Sequence, residues 1–477
     1  MAYYTILTDG AERDEHTLNR EESRENIDTT VADAAEGKAR GLGTGAFRTR
    51  RLGYAVVTSV SSKVASIAVQ LLALPIAINA LGAEKYGVFV TLSAALMWLS
   101  IANMGLSPGL TRGIAISVAN ADRTSERRYF SSAFFLIFGV AFLLLTFLAV
   151  VWWSVPVETL FGNEYSMYSD EVRGGLLLLG LLLTLTLALS VVDAARAGYQ
   201  EQYANNLSTT LGNTLSIVLL FVVAYYWPTI AGMIVAIYGM YVLAQLLNGF
   251  HLIWLSRPYL VPRLDHFDFG LCKMLFGTGL AFVLVWISSY INQQLSLFLV
   301  GRQLGPDSAA SFAVMLRMTD LLGSVVIMFT LPLWPAITDA MARGEISWVR
   351  SSYRKLVLLS TCYAIVAGGL IAVAGQPIVR LWIGPEVLPT GLLQGFIGLY
   401  FVLVMWTHVH YMTLVGLGRL WAPAIVLLME SVVMVPLALW FIYSMHSAGV
   451  AAALCLSTVG LGVWLLPIMV KTALKQV

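Results

Sequence analysis

Residues 174–189 of this 477-residue chain read GGLLLLGLLLTLTLAL, with no charged side chain among them. A helix of about 20 apolar residues crosses the hydrocarbon core of a bilayer, because each residue adds about 1.5 Å. A membrane-spanning strand would instead alternate apolar and polar residues over about 10 positions. This stretch does not alternate, so it predicts a membrane-spanning helix.

The composition extends this prediction to the whole chain. Hydrophobic residues make up 58% of it and charged residues 12%, whereas about a quarter of an average soluble domain is charged. Mean hydropathy is +0.77. The net charge of +2 gives no basic surface for nucleic acid. The three cysteines are scattered and match neither a disulfide framework nor a metal site. We expect an all-α polytopic membrane protein without metal, cofactor or nucleic-acid partner.

Apolar runs of spanning length recur along the chain after a polar start. Residues 1–51 are rich in acidic and then basic side chains and predict a disordered tail. We expect about twelve spans, at 54–80, 86–104, 130–155, 174–195, 207–227, 230–255, 271–300, 308–334, 356–374, 388–415, 421–443 and 448–470. The predicted domains are the tail, a six-helix bundle at 52–255, a polar linker at 256–269 and a second bundle at 270–477.

Lysine and arginine collect on alternate loops of this map, which indicates how the chain is oriented. The longest loop on the basic-poor side, 157–173, is acidic. Because cytoplasmic loops carry an excess of Lys and Arg, we expect the basic side and both termini in the cytoplasm. The basic side receives Arg48, Arg50, Arg51, Arg123, Arg127, Arg128, Arg257, Arg263, Arg343, Arg350, Arg354, Lys355, Arg419, Lys471 and Lys475.

Two short sequence echoes indicate an internal repeat. Leu-Gly-Ala-Glu at 81–84 follows the first span, and Leu-Gly-Pro-Asp at 304–307 follows the seventh. Leu-Phe-Gly-Asn-Glu at 160–164 follows the third span, and Leu-Trp-Ile-Gly-Pro-Glu at 381–386 follows the ninth. Six spans are an even number, so the two copies share one orientation, as in a parallel repeat. We expect two pseudo-symmetric six-helix bundles around a central cavity.

Several of these stretches resemble a known family. The run from Ile-Asn-Ala-Leu-Gly at 78–82 through Tyr-Gly-Val at 86–88 to Asn-Met-Gly-Leu at 103–106 resembles the opening of Wzx-type polysaccharide flippases. Residues 381–386 resemble that family's outer-loop pattern after its ninth helix. The resemblance implies membership of the multidrug/oligosaccharidyl-lipid/polysaccharide exporter (MOP) superfamily, with a MATE-like fold of two lobes. It also implies transport of undecaprenyl-diphosphate-linked oligosaccharide across the bacterial inner membrane.

Ionisable side chains inside spans require a structural or functional explanation, because placing each one at the bilayer centre costs roughly 2.5–3.5 kcal/mol on insertion scales. Lys63, near the middle of the first span, either snorkels to the interface or presents a cation to the cavity. Arg317 and Asp320 share one face of the eighth span. They form either a structural ion pair or, if they face the cavity, a functional pair. In the second case Arg317 is the diphosphate ligand, since a guanidinium donates two hydrogen bonds to phosphate, and Asp320 releases it or takes a coupling proton.

Other polar residues leave two interpretations open. Glu430, deep in the eleventh span, carries a coupling ion or makes an interhelical hydrogen bond. Asn292, Gln293 and Gln294 line a glycan path or join neighbouring helices. Arg112 lies just beyond Pro-Gly at 108–109, where we expect a break or kink in the second helix, and is expected at the inner mouth of the cavity.

One further pair is expected to be structural. Asp193 and Arg196 lie at i,i+3 near the end of the fourth span, where we expect a solvated ion pair.

These observations favour a transporter over an enzyme. No Gly-x-x-x-x-Gly-Lys-Ser/Thr motif is present for ATP hydrolysis, so we expect coupling to protons, sodium or the substrate gradient. A multidrug or cation antiporter of the same superfamily would need an acidic cavity, against Arg317 and Lys63. A polysaccharide polymerase or glycosyltransferase would need a larger outer loop than 157–173. The expected partners are a lipid-linked oligosaccharide, membrane lipid, and polymerase or chain-length proteins.

Overall fold

The computed structural model describes residues 57–59, 61–99, 106–272 and 280–476, and within them the chain forms helices and no β-strand. The predicted tail at 1–51 lies outside these residues. Contacts divide the chain into Met1–Val60 and Ser61–Val477, and every contact below lies in the second unit. The helices are α1 Val57–Leu81, α2 Ala83–Leu96, α3 Leu106–Ala119, α4 Arg123–Ser154, α5 Ser169–Gly198, α6 Gln202–Tyr226, α7 Ile230–Ser256, α8 Val283–Leu304, α9 Pro306–Ala342, α10 Ile346–Trp382, α11 Gly391–Gly416, α12 Trp421–Met445 and α13 Ser447–Lys475.

Eleven helices of the described chain are long and apolar enough to cross a membrane, and the span predicted at 86–104 is not among them. Leu92 of α2 packs at Gly175, near the start of α5, and Ile114 of α3 packs at Gly198, at its end. These glycines lie about 35 Å apart along α5 at 1.5 Å per residue. The two short helices therefore cover the depth of one span.

The break or kink expected before Arg112 belongs to a region where the described helices are divided. Helix α2 ends at Leu96, and the next described helix, α3, is Leu106–Ala119. Pro108 and Gly109 both lie within α3.

The sequence echoes mark equivalent backbone positions. Gly82 and Gly305 precede α2 and α9 with φ of 80° and 85°, and Gly162 and Gly384 each precede a 3₁₀ helix with φ of 105° and 128°. Positive φ is readily adopted by glycine alone. Each echo thus preserves a turn that only glycine makes without strain.

The helices of the two halves pack against one another in the same order. In the first half, α1 to α7, the central helix α5 packs on α3, α4 and α7, while α6 packs on α7. In the second half, α8 to α13, α11 packs on α9, α10 and α13, while α12 packs on α13. In both halves the fourth span is central. The predicted fold of two pseudo-symmetric bundles is confirmed.

The two halves meet closely on one side of the membrane region. We call the side with loop 157–173 the acidic face and the side with Arg257 the basic face. A Cβ on Gly87 of α2 would lie 1.8 Å from the carbonyl oxygen of Pro306. Arg302 donates to the carbonyl oxygen of Leu160 at 2.8 Å. The halves are therefore in direct contact near the acidic face.

The predicted linker at 256–269 is attached to the first half. The hydroxyl of Tyr259 donates to Glu126 of α4 at 2.7 Å, and the amide of Asp268 donates to the Ser132 hydroxyl at 2.9 Å. Leu260 is buried. This segment packs on α4 over most of its length.

Candidate functional site

A cavity of about 170 Å³ lies between the halves. Helices α2 and α7 supply one wall, and α8 and α9 supply the other. A second cavity of about 80 Å³ shares Tyr86, Tyr238 and Arg317 and extends to α1. The larger cavity, which we call the central cavity, is lined by Tyr86, Phe89, Val90, Ser93, Met97, Tyr238, Gln293, Gln294, Leu297, Ala313, Leu316, Arg317 and Asp320.

Arg317 and Asp320 face the central cavity as an open pair. The nearest guanidinium nitrogen and carboxylate oxygen lie 3.8 Å apart, and the side chains are 45% and 36% exposed. This separation exceeds a hydrogen bond. Gln293 donates to the other oxygen of Asp320 at 3.1 Å. Within the described chain no hydrogen bond to Arg317 is present, so its donors are available to an anion that enters the cavity.

A π-helical turn positions the amides. Residues Ile291–Leu295 of α8 form this wider turn, and such turns are frequent at functional sites. Gln293 and Gln294 both line the central cavity. Asn292 does not line it, and its side-chain oxygen is buried without a partner among the described residues.

Two other predicted cations lie elsewhere. Lys63 of α1 is exposed and lines neither of these cavities. Arg112 of α3 is exposed and lines a cavity of about 570 Å³ in the first half, which we call the vestibule. The vestibule is lined by Ser107, Thr111, Arg112, Ala115, Ser190, Asp193, Ala194, Ala197, Gln202 and Asn205.

The predicted pair of Asp193 with Arg196 is wrong. Asp193 accepts from the side-chain amides of Gln245 and Asn248 at 3.0 and 3.4 Å. Arg196 is buried and pairs with Glu201 at 3.0 Å. The chain turns back after α5, so Glu201 at the start of α6 reaches the buried guanidinium, while Asp193 lines the vestibule.

Glu430 is buried between α12 and α13. One carboxylate oxygen accepts from the Thr458 hydroxyl at 2.5 Å. The other lies beside the backbone amide of Gly462, 2.4 Å from where a Cβ on that glycine would be. Gly462 follows a break in α13 after Gly460. Glu430 therefore lies apart from the central cavity, at an interruption in a helix.

The sequence analysis did not single out several residues of the central cavity, nor the amides that bind Asp193. Tyr86 and Tyr238 line the central cavity, yet each resembles any aromatic residue at the end or middle of a span. Gln245 and Asn248 are amides at i,i+3 in the apolar α7, which was a readable signal because polar groups in spans need partners.

A family model described as "Polysaccharide biosynthesis protein" matches residues 54–341. "Putative O-antigen transporter" of Salmonella typhi is 23% identical over 293 residues, which are 60% of this chain and 64% of that protein. The chain thus spans slightly under two thirds of that relative. "Putative O-antigen export protein" of Yersinia pseudotuberculosis is 20% identical over 366 residues, 75% of this chain and 82% of that protein.

Solved structures share the fold. An inward-facing multidrug resistance MATE family transporter of the MOP superfamily superposes with a TM-score of 0.73 at 16% identity, over 85% of this chain and 95% of its own. A MOP superfamily transporter from Pyrococcus furiosus gives 0.61 at 16% identity, over 88% and 96%.

The family match covers more than half of the chain, and it agrees with the resemblance to Wzx-type flippases. The solved structures have the same two-lobe arrangement of helices. This chain is a multi-pass membrane protein that belongs to the polysaccharide biosynthesis protein family and has the fold of the MOP superfamily transporters.

Proposed function

We propose that this protein is a transporter that moves a lipid-linked oligosaccharide across the bacterial inner membrane by alternating access, with Arg317 as the diphosphate ligand. The observation that carries the proposal is a guanidinium between the two halves that has no hydrogen bond within the described chain. Its planar fork can donate two parallel hydrogen bonds to phosphate oxygens. No covalent bond changes, so the protein is not an enzyme.

The small volume of the central cavity supports relative motion of the two halves during transport. A volume of about 170 Å³ is below the usual 300–1,000 Å³ of ligand pockets. A diphosphate with attached sugars therefore needs the halves to part. Asp320 lies beside Arg317 and competes with phosphate for it, so arrival of the substrate would release Asp320.

The vestibule carries polar groups, and we place the glycan against them. Its wall combines hydroxyl and amide groups with Arg112 and Asp193. Such groups hydrogen-bond sugar hydroxyls, as specific polar contacts do in ligand sites generally. In our proposal the glycan passes this wall while the polyprenyl chain stays in lipid.

The contacts between the halves support a state that is closed toward the acidic face. Gly87 with Pro306, and Arg302 with Leu160, join the halves there. Alternating access requires these contacts to separate while the halves close on the other side. We propose that the basic face and both termini are cytoplasmic.

A translocation assay with the purified protein in liposomes tests the role of Arg317. We expect Arg317→Ala to reduce translocation of a labelled polyprenyl-diphosphate sugar at least tenfold, because one charge-assisted contact is worth about 1.5–3 kcal/mol. Arg343→Ala is the matched control, since Arg343 forms an exposed pair with Asp339. Equal transport by Arg317→Ala and wild type would exclude the diphosphate role. Transport of organic cations but no polyprenyl sugar would favour a multidrug antiporter.

Coupling is proposed at Glu430 or Asp320, through a proton or sodium ion. Both are carboxylates within spans, where ionisable groups frequently mark ion pathways. Glu430→Gln keeps an acceptor for Thr458 and removes the charge. We expect translocation by this variant to lose its dependence on the pH or sodium gradient. A gradient dependence identical to that of wild type would remove Glu430 from coupling.

A further inference from the structure

A separate cavity of about 300 Å³ opens between α6 and α7 near the basic face. None of the residues assigned above to the substrate route lines it. Its lining is Arg196, Tyr203, Ala204, Leu207, Ser208, Leu211, Ala244, Leu247, Asn248 and His251.

The mouth of this cavity faces the membrane. Leu207, Leu211 and Leu247 are 60%, 42% and 50% exposed. On a spanning helix, large apolar side chains exposed to this degree contact lipid chains. A molecule that enters here therefore comes from the bilayer.

Polarity changes along the cavity with depth. Helix α6 starts at the basic face, so Tyr203, Leu207 and Leu211 lie progressively deeper in the membrane. Helix α7 ends at that face, so His251 is shallow and Leu247 lies one turn deeper. The polar end is thus at the level of lipid headgroups and the leucines are at the level of acyl chains.

The polar end contains an unsatisfied donor. Arg196 is 2% exposed, and its Nε has no hydrogen-bond partner among the described residues. One terminal nitrogen pairs with Glu201, and the other contacts the Asn248 carbonyl oxygen at 3.2 Å and Nδ1 of His251 at 2.9 Å. A buried donor without an acceptor costs about 1–3 kcal/mol, so an acceptor from a ligand would stabilise this end.

Two arginines meet at one carboxylate at the polar end. Arg196 and Arg257 share Glu201, with Arg257 at 2.7 Å. Asp193 lies within electrostatic reach of Arg196, but the amides of Gln245 and Asn248 bind it.

His251 adds a second, independent feature. It is exposed and begins the π-helical turn His251–Ser256, and Nδ1 also contacts the Ser256 hydroxyl at 3.0 Å. Such turns occur often at functional sites.

We propose that this cavity binds one anionic phospholipid of the leaflet at the basic face. The phosphate accepts hydrogen bonds from Arg196 and His251, and one acyl chain lies along Leu207, Leu211 and Leu247. Basic pockets between spanning helices recognise anionic headgroups in this manner. The bound lipid would tie α6 to α7, and it does not depend on the identity of the transported substrate.

Native mass spectrometry and thermal unfolding in neutral detergent test the proposal. We expect phosphatidylglycerol to remain bound and to raise the unfolding midpoint, with phosphatidylcholine weaker by about tenfold in affinity, because it lacks a net negative charge. Glycerol 3-phosphate, which has the phosphate but no acyl chains, is the control for binding of the phosphate alone. An equal shift from glycerol 3-phosphate, or equal binding of the two phospholipids, would overturn the proposal.

Two variants test whether the lipid lies in this cavity. Both keep Arg196 and its ion pair with Glu201, although His251→Ala also removes one acceptor of the guanidinium. His251→Ala removes the exposed donor, and Leu247→Trp fills the apolar end. We expect His251→Ala to weaken phosphatidylglycerol binding about tenfold, the effect of losing one charge-assisted contact. We expect a similar loss for Leu247→Trp, because the indole occupies the space of the acyl chain. Leu246→Trp is the matched control, since Leu246 is 45% exposed and does not line the cavity. Wild-type binding by both variants would refute the site.

Discussion

At the scale of single residues, Gly87 sets the distance between the two halves. An alanine there would place Cβ 1.8 Å from the oxygen and 2.3 Å from the carbon of the Pro306 carbonyl. Both are backbone atoms, so α2 and α9 would have to separate. We expect Gly87→Ala to lower the free energy of unfolding by about 1–3 kcal/mol through overpacking, measured by unfolding in detergent.

Gly139 of α4 is the matched control for that prediction. A Cβ there meets nothing within 4 Å, and alanine is favoured over glycine in a helix by up to about 1 kcal/mol. Gly139→Ala should leave stability unchanged or slightly higher. Equal effects of the two substitutions would show that helix propensity, and not the contact at Pro306, decides the result.

The Thr458 hydroxyl is the donor that holds buried Glu430 in place. Thr458→Val keeps the shape and removes the hydrogen bond, which should destabilise the protein by about 1–3 kcal/mol. Thr458→Ser should recover most of this loss. The measurement is the unfolding midpoint of the three proteins in one detergent. A Val variant as stable as wild type would mean that Glu430 has another donor.

At the scale of helices, Asp122 caps the start of α4. Its side chain accepts from the amides of Thr124 and Ser125 at 3.0 Å each and from the Ser125 hydroxyl at 2.5 Å. Hydrogen bonds from Ser125, chiefly from its hydroxyl, hold the pKa of Asp122 below its usual 3.8. Asp122→Ala should lower the unfolding midpoint, while Asp122→Asn, also a good cap, should not.

The lowered pKa of Asp122 gives this cap a pH dependence. The folded carboxylate binds a proton less readily than the unfolded one, so the cap's stabilisation is complete above the ordinary pKa. It is lost as the pH falls through the lowered folded value. Midpoints of wild type and Asp122→Asn measured from pH 6 to pH 3 should diverge only at the acidic end. If the unfolding midpoints of the two proteins changed in parallel over the whole pH range, the carboxylate of Asp122 would not be the source of this pH dependence.

Helix boundaries show which elements sequence could predict. Long apolar runs such as α5 and α11 were predicted because a bilayer requires about 20 apolar residues in a helix. The division of the second span into α2 and α3 was predicted only in part, as a break or kink near Pro-Gly at 108–109, because sequence alone does not fix where a helix ends. The π-helical turn of α8 was hidden, because its residues would also fit an α-helix.

At the scale of the whole molecule, the contact between halves near the acidic face should be a reversible constraint on transport. Thr91 of α2 and Gly301 of α8 are adjacent, with a Cβ on Gly301 falling 2.2 Å from the Thr91 hydroxyl oxygen. In a protein with Cys272, Cys362 and Cys455 replaced by alanine, we expect Thr91→Cys with Gly301→Cys to form a disulfide. Oxidation should stop translocation in liposomes, and reduction should restore it.

A second cysteine pair separates this effect from cross-linking in general. Ser132 of α4 lies beside Asp268, whose amide donates to the Ser132 hydroxyl at 2.9 Å. Both residues are in the first half and its attached linker. Ser132→Cys with Asp268→Cys should therefore cross-link with transport unchanged. Full transport by the oxidised Thr91–Gly301 pair would mean that the halves do not separate at the acidic face.

The sequence by itself determined the all-helical membrane fold, the order of the spans and the two-fold repeat, because membrane burial and glycine turns leave local patterns. It also singled out Arg317, Asp320, Gln293 and Gln294, since a polar side chain in a span is conspicuous. Only the tertiary structure brought these four together, exchanged the expected partner of Arg196 for Glu201, and placed Glu430 away from the central cavity. Those outcomes depend on which helix faces meet, and hydropathy is the same whether an apolar helix faces lipid or another helix.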